Sequence, residues 1–215
     1  MFMARFRIVI YPVALALITA FAAGCATNVP FDLFQEGYKP KGKSLAVISG
    51  SSDDADIRFA EHVTKKLQEM STLKVLSQQE VERRVGKYPA NIKITEPKDK
   101  DKPVWYAAGE KAKIDSLHGA VKTDYLLVVW VTNVNRIVTR DSRGGGSVSY
   151  GAGFVSNLVE YSPGKAVGYS EFGRSKRQSC FLFGGSEGKD IDNLLLSSAE
   201  DLADDLVDRT ATRKK

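Results

Sequence analysis

Cysteine and histidine are the side chains in this sequence best suited to chemistry, and each type occurs twice. Neither Cys25 nor Cys180 belongs to a C-x-x-C pair or to a cluster with zinc-ligand spacing. His62 and His118 belong to no H-E-x-x-H motif, and no G-x-S-x-G motif occurs. A histidine acid or base also needs a partner, which the sequence does not place. We therefore expect no catalytic residues, no metal and no cofactor.

Two glycine-containing stretches resemble anion sites in composition only. The "GKS" of residues 42–44 precedes an apolar run, whereas a P-loop follows a strand and opens a helix. The stretch "RGGGSVSYGAG", residues 143–153, has three consecutive glycines, but no helix follows whose N-terminus would bind an anion. We expect a turn between two strands there. Gly151 and Gly153 are predicted to lie within a strand, at a bulge or a close contact.

Three aspartates, Asp53, Asp54 and Asp56, follow two serines at the start of an amphipathic segment. Acids in the first helical turn are stabilised by the helix dipole, and Ser51 or Ser52 is predicted to cap the helix. Because no D-x-[DN]-x-[DN]-G loop occurs, helix stabilisation explains this cluster without a metal ion.

The stretch "FAAGCATN", residues 21–28, ends the first apolar run of the chain. Arg5 and Arg7 precede that run, and residues 8–24 carry no charge. A basic segment, an apolar segment and small residues at its end are typical of a secretory signal. The alternative, a transmembrane anchor, would be at the short limit of about 26 Å for a helix of this length.

The four residues Ala22-Ala23-Gly24-Cys25 resemble the lipobox of bacterial lipoproteins, although the family prefers leucine where Ala22 stands. The resemblance implies a signal peptide over 1–24, cleavage between Gly24 and Cys25, and acyl chains such as palmitate on Cys25. Two or three acyl chains anchor a protein stably to a membrane. Because Ala26 rather than an aspartate follows the cysteine, the resemblance also implies sorting to the periplasmic face of the outer membrane.

Bulk composition excludes some functions. The formal net charge is +5 over 215 residues and becomes +3 once Arg5 and Arg7 leave with the signal. This excess is too small to indicate nucleic-acid binding. The length fits one domain. If Cys25 is acylated, Cys180 is the remaining free thiol, and we expect it to be buried beside Phe181 and Phe183.

The rest of the chain divides into a tether at 25–42, a folded domain at 43–210 and a tail at 211–215 that we expect to fray. Apolar residues within the tether, including Phe31 and Phe34, are expected to dock onto the domain or onto a partner. The pattern of the domain predicts a single α/β unit, with one mixed β-sheet of about five strands and helices packed on it. The predicted elements are strands at 44–49, 73–77, 123–140, 147–161 and 166–175, and helices at 52–70, 77–85, 104–121 and 190–209.

Two further signals concern local structure. Ser77-Gln78-Gln79-Glu80 has the form of a capping box. Residues 162–165 have the composition of a type II turn, and residues 86–103 form a long loop that we expect to be a solvated excursion.

The order of these elements resembles the TolB N-terminal domain, CsgG, LpoB and related bacterial lipoproteins. Thr123-Asp124-Tyr125 and Pro163-Gly164-Lys165 carry the best matches, whereas "VISGSS" stands where these proteins often have "VLPF". The resemblance covers about residues 43–209. It implies a non-enzymatic protein of the cell envelope that binds other envelope proteins in secretion, polymer export or cell-wall synthesis, with homo-oligomers in some members.

The sequence is compatible with three function hypotheses. The first is a protein-binding or assembly module, with Phe31, Phe34, Lys98, Lys100 and Lys102 as candidate partner contacts because they lie on irregular, exposed sequence. The second is a periplasmic enzyme or small-molecule binder that uses the glycine-rich turn. The third is an oligomeric component of an export channel.

Overall fold

The computed structural model describes residues 33–34, 38, 43–86, 91–93, 108–140, 146–161, 165–179 and 187–214. The predicted signal, the predicted turn at 162–164 and the glycine-rich turn at 141–145 lie outside these ranges. So do several residues named above: Cys25, Phe31, Lys98, Lys100, Lys102 and Cys180.

The secondary structure follows the predicted order. The strands are β1 (Leu33–Phe34), β2 (Ser44–Ser49), β3 (Lys74–Val75), β4 (Tyr125–Arg140), β5 (Gly146–Glu160) and β6 (Lys165–Ser179). The helices are α1 (Asp54–Met70), α2 (Gln78–Val85), α3 (Lys111–Val121), which a 3-10 turn at Ala108–Glu110 precedes, and α4 (Glu187–Arg209).

All six strands belong to one mixed sheet with the order β1-β6-β5-β4-β2-β3. β2 runs parallel to both β3 and β4, while β4, β5 and β6 form an antiparallel meander. The predicted α/β fold with a single mixed sheet is therefore confirmed. The sheet has five strands besides β1, a two-residue strand from the predicted tether.

Helices cover both faces of the sheet, and each face has its own core. Successive strand residues point to opposite faces, so the apolar run of β4 serves both cores. Tyr125, Leu127 and Val129 belong to the first core, which also contains buried residues of α1 and α4. Leu126 and Val128 belong to the second, with buried residues of α2 and α3.

The helix starts confirm one predicted cap and correct another. The hydroxyl of Ser77 accepts a hydrogen bond from the backbone N–H of Glu80, as the capping-box pattern predicts. The N-cap of α1 is Asp53 instead of Ser51 or Ser52, and its side chain makes no capping bond. Ser51 does not act as the N-cap, and its hydroxyl instead donates a hydrogen bond to the carboxylate of Asp56 at 2.5 Å.

The C-terminal tail is held to the domain, contrary to the expectation that it frays. Thr212 is buried, and its backbone donates to Val207 and accepts from Thr72. Arg213 forms an isolated antiparallel bridge with Ser71. The tail is ordered because it supplies hydrogen-bond partners to the turn that follows α1.

The long loop also departs from a fully solvated excursion at one point. Ile92 is 4% exposed and belongs to the second core. Its backbone N–H donates to the carbonyl of Gly50, and its carbonyl accepts from the indole of Trp130 at 3.0 Å. An apolar side chain and two hydrogen bonds thus fix this part of the loop on the domain.

Candidate functional surface

The three long strands extend beyond the rest of the sheet. β2 pairs with β4 only as far as Val129, whereas β4 continues to Arg140 beside β5. We call residues 131–140, 146–154 and 171–179 the ribbon, and the remainder of the domain the body. In the part of the chain that the structure describes, no strand pairs with the outer edges of the ribbon. Unpaired strand edges can add a strand from another molecule.

The ribbon leaves the body at a tightly packed junction. A Cβ atom on Gly50 would lie 1.9 Å from Nε1 of Trp130, so only glycine fits beside the indole. One residue further along β4, the backbone N–H of Val131 donates to the carboxylate of Asp56 at 2.6 Å. Burial raises the pKa of Asp56 above its ordinary value, and its two hydrogen bonds partly offset this effect. The "VISGSS" stretch therefore has a structural role at this junction.

A β-bulge bends β4 just after it enters the ribbon. The pairing of β4 with β5 shifts between Thr132 and Asn135, and Asn133 has a φ of 53°. On β5, a Cβ atom on Gly153 would lie 2.4 Å from Oγ1 of Thr132, and one on Gly151 would lie 2.7 Å from Oδ1 of Asn135. The sequence prediction that these two glycines lie at a bulge or a close contact is confirmed.

The ribbon exposes apolar side chains on β4. Val134, Ile137 and Val138 are 45%, 58% and 47% exposed. Their paired strand is better covered, since Val148 and Tyr150 on β5 are buried. Clustered apolar residues that solvent reaches are a feature of interaction surfaces.

The ribbon also carries the positive charge of the chain. Its strands contain five basic residues against one acid, Glu171, and the basic residues are Arg136, Arg140, Arg174, Lys176 and Arg177. This is a net charge of +4, while the whole chain without its predicted signal has +3. The rest of the chain is therefore close to neutral. A positive field concentrated on one projection favours negatively charged partners.

Many charged side chains of the body are paired locally. The acidic helix α4 contacts basic side chains from other parts of the chain: Asp192 lies beside Arg58 and His62, and Asp204 and Asp208 pair with Arg213. The Arg213 guanidinium lowers the pKa of Asp208 below its ordinary value. Arg174 of the ribbon joins this network through an ion pair with Asp201.

The Thr123-Asp124-Tyr125 motif has a structural role in the body. One carboxylate oxygen of Asp124 accepts hydrogen bonds from the backbone N–H groups of Lys43 and Ser44 and from the Ser44 hydroxyl, at 2.6–2.9 Å. These bonds, led by that of the Ser44 hydroxyl, lower the pKa of Asp124. Asp124 therefore joins the starts of β2 and β4, two neighbouring parallel strands of the sheet.

Part of the predicted tether contacts the domain. Leu33 pairs with Tyr169 and Phe34 with Gly168, so the tether adds a short antiparallel strand to β6. Tyr38 donates a hydrogen bond to the hydroxyl of Tyr125 at 2.9 Å. Phe34, one of the predicted partner contacts, thus lies on a strand that is paired with the domain.

The two histidines lie in different layers and form no pair. His62 on α1 is 3.0 Å from Oδ1 of Asp192. His118 on α3 is 1% exposed, and burial lowers its pKa. Its ring packs against Tyr161 with centroids 5.3 Å apart. These contacts place His118 in the packing of the body.

A groove of about 460 Å³ lies between α2 and α3. Its walls include Val85, Leu117 and Ala120, with Arg84 and Lys113 among the lining residues, and neither histidine lines it. Among the described residues, no group of three or more histidine, cysteine or acidic side chains is placed to hold a metal ion. No helix in the described ranges is long and apolar enough to cross a membrane.

No protein-family model and no curated protein matches this chain. Solved structures do match it. A PelC dodecamer from Paraburkholderia phytofirmans is 16% identical, with coverage of 75% of this chain and 88% of that one and a TM-score of 0.37. Lipoprotein GNA1162 from Neisseria meningitidis is 18% identical, with coverage of 78% and 97% and a TM-score of 0.39.

A minor lipoprotein from Acinetobacter baumannii is 9% identical, with coverage of 80% of this chain and 98% of that one and a TM-score of 0.38. Such low identities and TM-scores carry no conclusion about the family or the function of this chain.

Proposed function

We propose that this chain is a non-enzymatic lipoprotein of the bacterial envelope, acylated on Cys25 after cleavage behind Gly24. The chain is held at the periplasmic face of the outer membrane, and its domain is of the TolB N-terminal, CsgG and LpoB kind. The lipobox residues support the anchor, while the element order and the Thr123-Asp124-Tyr125 motif support the kinship. The domain works as a docking module for another envelope protein in secretion, polymer export or cell-wall synthesis.

The observation that carries the docking role is the exposed apolar group on the ribbon, Val134, Ile137 and Val138. These side chains lie on a strand whose outer edge has no partner strand in the described part of the chain. A partner strand can therefore pair with the backbone of β4, with Ile137 on one face of the extended sheet and Val138 on the other.

The docking role is tested by site-specific photo-crosslinking in cells. A photoreactive residue in place of Ile137 should give a reproducible adduct, while the same residue in place of Glu61, which is exposed on the body helix α1, should not. Val134→Asp should reduce the yield at position 137. An adduct with twice the mass of the chain would identify a second copy and favour the export-channel alternative. Equal yields at both positions, or none at position 137, would contradict the docking role.

The anchor is tested by Cys25→Ser with Cys180→Ser as the matched control. Fractions are washed with high salt, which removes proteins that are held by charge alone. Cys25→Ser should be released from membranes or accumulate as the longer, unprocessed precursor. Cys180→Ser should remain membrane-bound at the processed size. A Cys25→Ser protein that stays membrane-bound at the processed size after the wash would overturn the proposed anchor.

A further inference from the structure

The path of the chain limits how far the β6 side of the sheet can lie from the proposed anchor. Eight residues lead from Cys25 to Leu33, which pairs with Tyr169 on β6. A fully extended chain of this length spans at most about 28 Å. If Cys25 is acylated, this strand pairing therefore stays within about 28 Å of the membrane surface.

Three basic residues of β6 lie beyond Tyr169. Arg174, Lys176 and Arg177 lie on β6 beyond Tyr169, and Lys176 is exposed. At about 3.3 Å per strand residue, Lys176 lies about 23 Å along β6 from Tyr169, which is less than the reach of the tether. The ribbon can thus touch the membrane that holds the acyl chains.

We propose that the β6 side of the ribbon lies on the anionic phospholipid headgroups of the membrane in which Cys25 is anchored. The place of this contact rests on the proposed function, because that proposal supplies the anchor at Cys25. The positive charge of the ribbon does not depend on the anchor. Within residues 171–179, β6 carries three basic residues and one acid, and of the three Arg174 is also paired with Asp201 of the body. Each basic residue near an anionic surface strengthens binding about fivefold at moderate salt.

The membrane contact leaves the proposed docking surface accessible. The exposed apolar residues Val134, Ile137 and Val138 lie on β4, which is separated from β6 by β5. Two strand spacings amount to about 10 Å. One edge of the ribbon therefore faces the lipid while the other edge faces a protein, and the headgroup contact orients β4 away from the bilayer.

The test uses the chain from residue 25 onward with Cys25→Ser, secreted behind a conventional signal so that it carries no acyl group. Flotation with vesicles of phosphatidylcholine alone is compared with vesicles that also contain phosphatidylglycerol. The protein should float with the anionic vesicles only, and added salt should release it. Lys176→Glu with Arg177→Glu should weaken the partition coefficient at least 25-fold, about fivefold for each charge removed and more for its reversal.

The matched control is Lys65→Glu with Lys74→Glu, which changes the net charge equally. Lys65 is exposed on α1, and Lys74 is exposed on β3, at the opposite edge of the sheet. This variant should keep most of the binding. Circular dichroism shows that each variant is folded before vesicles are added.

Equal binding to neutral and anionic vesicles, including none to either, would overturn the proposal, and so would equal losses in the two double variants. Binding to an acidic protein or polysaccharide without binding to vesicles would also overturn it. Because this chain has no acyl group, the outcome is independent of whether Cys25 is lipidated in cells. A failed anchor experiment and a failed headgroup contact are therefore separate results.

Discussion

Strands β4, β5 and β6 run through both the body and the ribbon, but the two regions differ in burial and in charge. In the body, β4 has a helical layer on each face, and Leu126, Leu127 and Val128 are fully buried. In the ribbon, the same strand exposes about half of Ile137 and Val138. The body pairs its acids and bases locally, whereas basic residues predominate in the ribbon.

This difference separates stability from function within one sheet. Burial of apolar surface stabilises a fold by about 25 cal/mol per Å², so the body supplies most of the folding free energy. Ribbon residues that solvent reaches contribute little to that free energy. Exposed apolar and basic side chains on strands with open edges are better explained by contacts with other molecules. Substitutions of buried body residues should therefore reduce stability more than binding. Substitutions of exposed ribbon residues should reduce binding more than stability.

The largest expected effect is at the base of the ribbon, where Phe154 on β5 and Phe172 on β6 are buried in the core of the body. Phe154 on β5 is fully buried, with ring centroids 4.7 Å from Phe59 and 5.2 Å from Phe172. Phe154→Ala should lower the free energy of unfolding by about 4 kcal/mol, because it removes a large buried ring and leaves a cavity. Urea denaturation followed by circular dichroism measures this change. Phe154→Leu, which retains most of the volume, should lose less than half as much, and equal losses would contradict the cavity explanation.

A somewhat smaller effect is expected at the junction. Gly50→Ala places a Cβ atom within 2.2 Å of three atoms of the Trp130 ring, so the indole must move and lose its bond to the Ile92 carbonyl. The cost should be about 3 kcal/mol, at the upper end for overpacking. The emission of Trp130 should also shift, because its surroundings change.

The matched control for this glycine is Gly119→Ala on α3. No atom lies within 4 Å of the added Cβ, and Gly119 is exposed within a helix. Alanine is the better helix former, so this change should stabilise the protein by up to about 1 kcal/mol. If Gly50→Ala were equally harmless, the contact of Gly50 with the indole would not determine the residue there.

A third prediction concerns the carboxylate that joins β2 to β4. Asp124→Asn should lower the free energy of unfolding by about 1 kcal/mol at neutral pH, because an exposed amide accepts weaker hydrogen bonds than a carboxylate. The folded-state pKa of Asp124 is lowered, so its stabilisation is present above its unfolded pKa of about 3.9. That stabilisation is lost as the pH falls through the lower, folded-state pKa.

Urea denaturation at a series of pH values checks this prediction. The difference between the wild type and Asp124→Asn should be constant near neutral pH and should shrink as the solution becomes acidic. Asp115→Asn on the exposed face of α3 serves as the control, since Asp115 pairs only with exposed Lys111 among the contacts described. A difference for Asp124→Asn that grows on acidification would refute the sign of the pKa shift.

Local sequence patterns predicted much of the body. The periodicities of α1 and α4 and the continuous apolar run of β4 each report one element, and the Ser77 capping box spans only four residues. Such patterns determine which elements form because their causes lie within a few residues of each other. The glycines of β5 were also informative, since a glycine within a strand indicates a bulge or a close contact.

The cap of α1 was misassigned because Ser51 binds Asp56, a local contact five residues along the chain that the composition of the segment does not specify. The other features that were not predicted depend on residues far apart in sequence. The tail was expected to fray because nothing in its sequence reveals that Thr212 meets Thr72. The length of β4 beyond β2 is likewise visible only when the sheet is assembled. The candidate surface therefore escaped sequence analysis, which instead selected Phe31, Phe34, Lys98, Lys100 and Lys102 from irregular segments.

The smallest expected effect on stability is on the ribbon, where the effect on binding should be largest. Ile137 is 58% exposed, so Ile137→Ala should change the free energy of unfolding by no more than about 0.5 kcal/mol. The charged variant Ile137→Asp should likewise fold, because its side chain stays in water. Both variants should reduce the yield of photo-crosslinking from position 134 in cells, with the aspartate reducing it more since it also opposes the burial of apolar surface in the contact. Glu61→Ala, an exposed change on the body, should leave both stability and crosslinking unchanged. If Ile137→Ala instead destabilised the chain as strongly as Phe154→Ala, the ribbon would belong to the folding core, and the separation of stability from binding would be wrong.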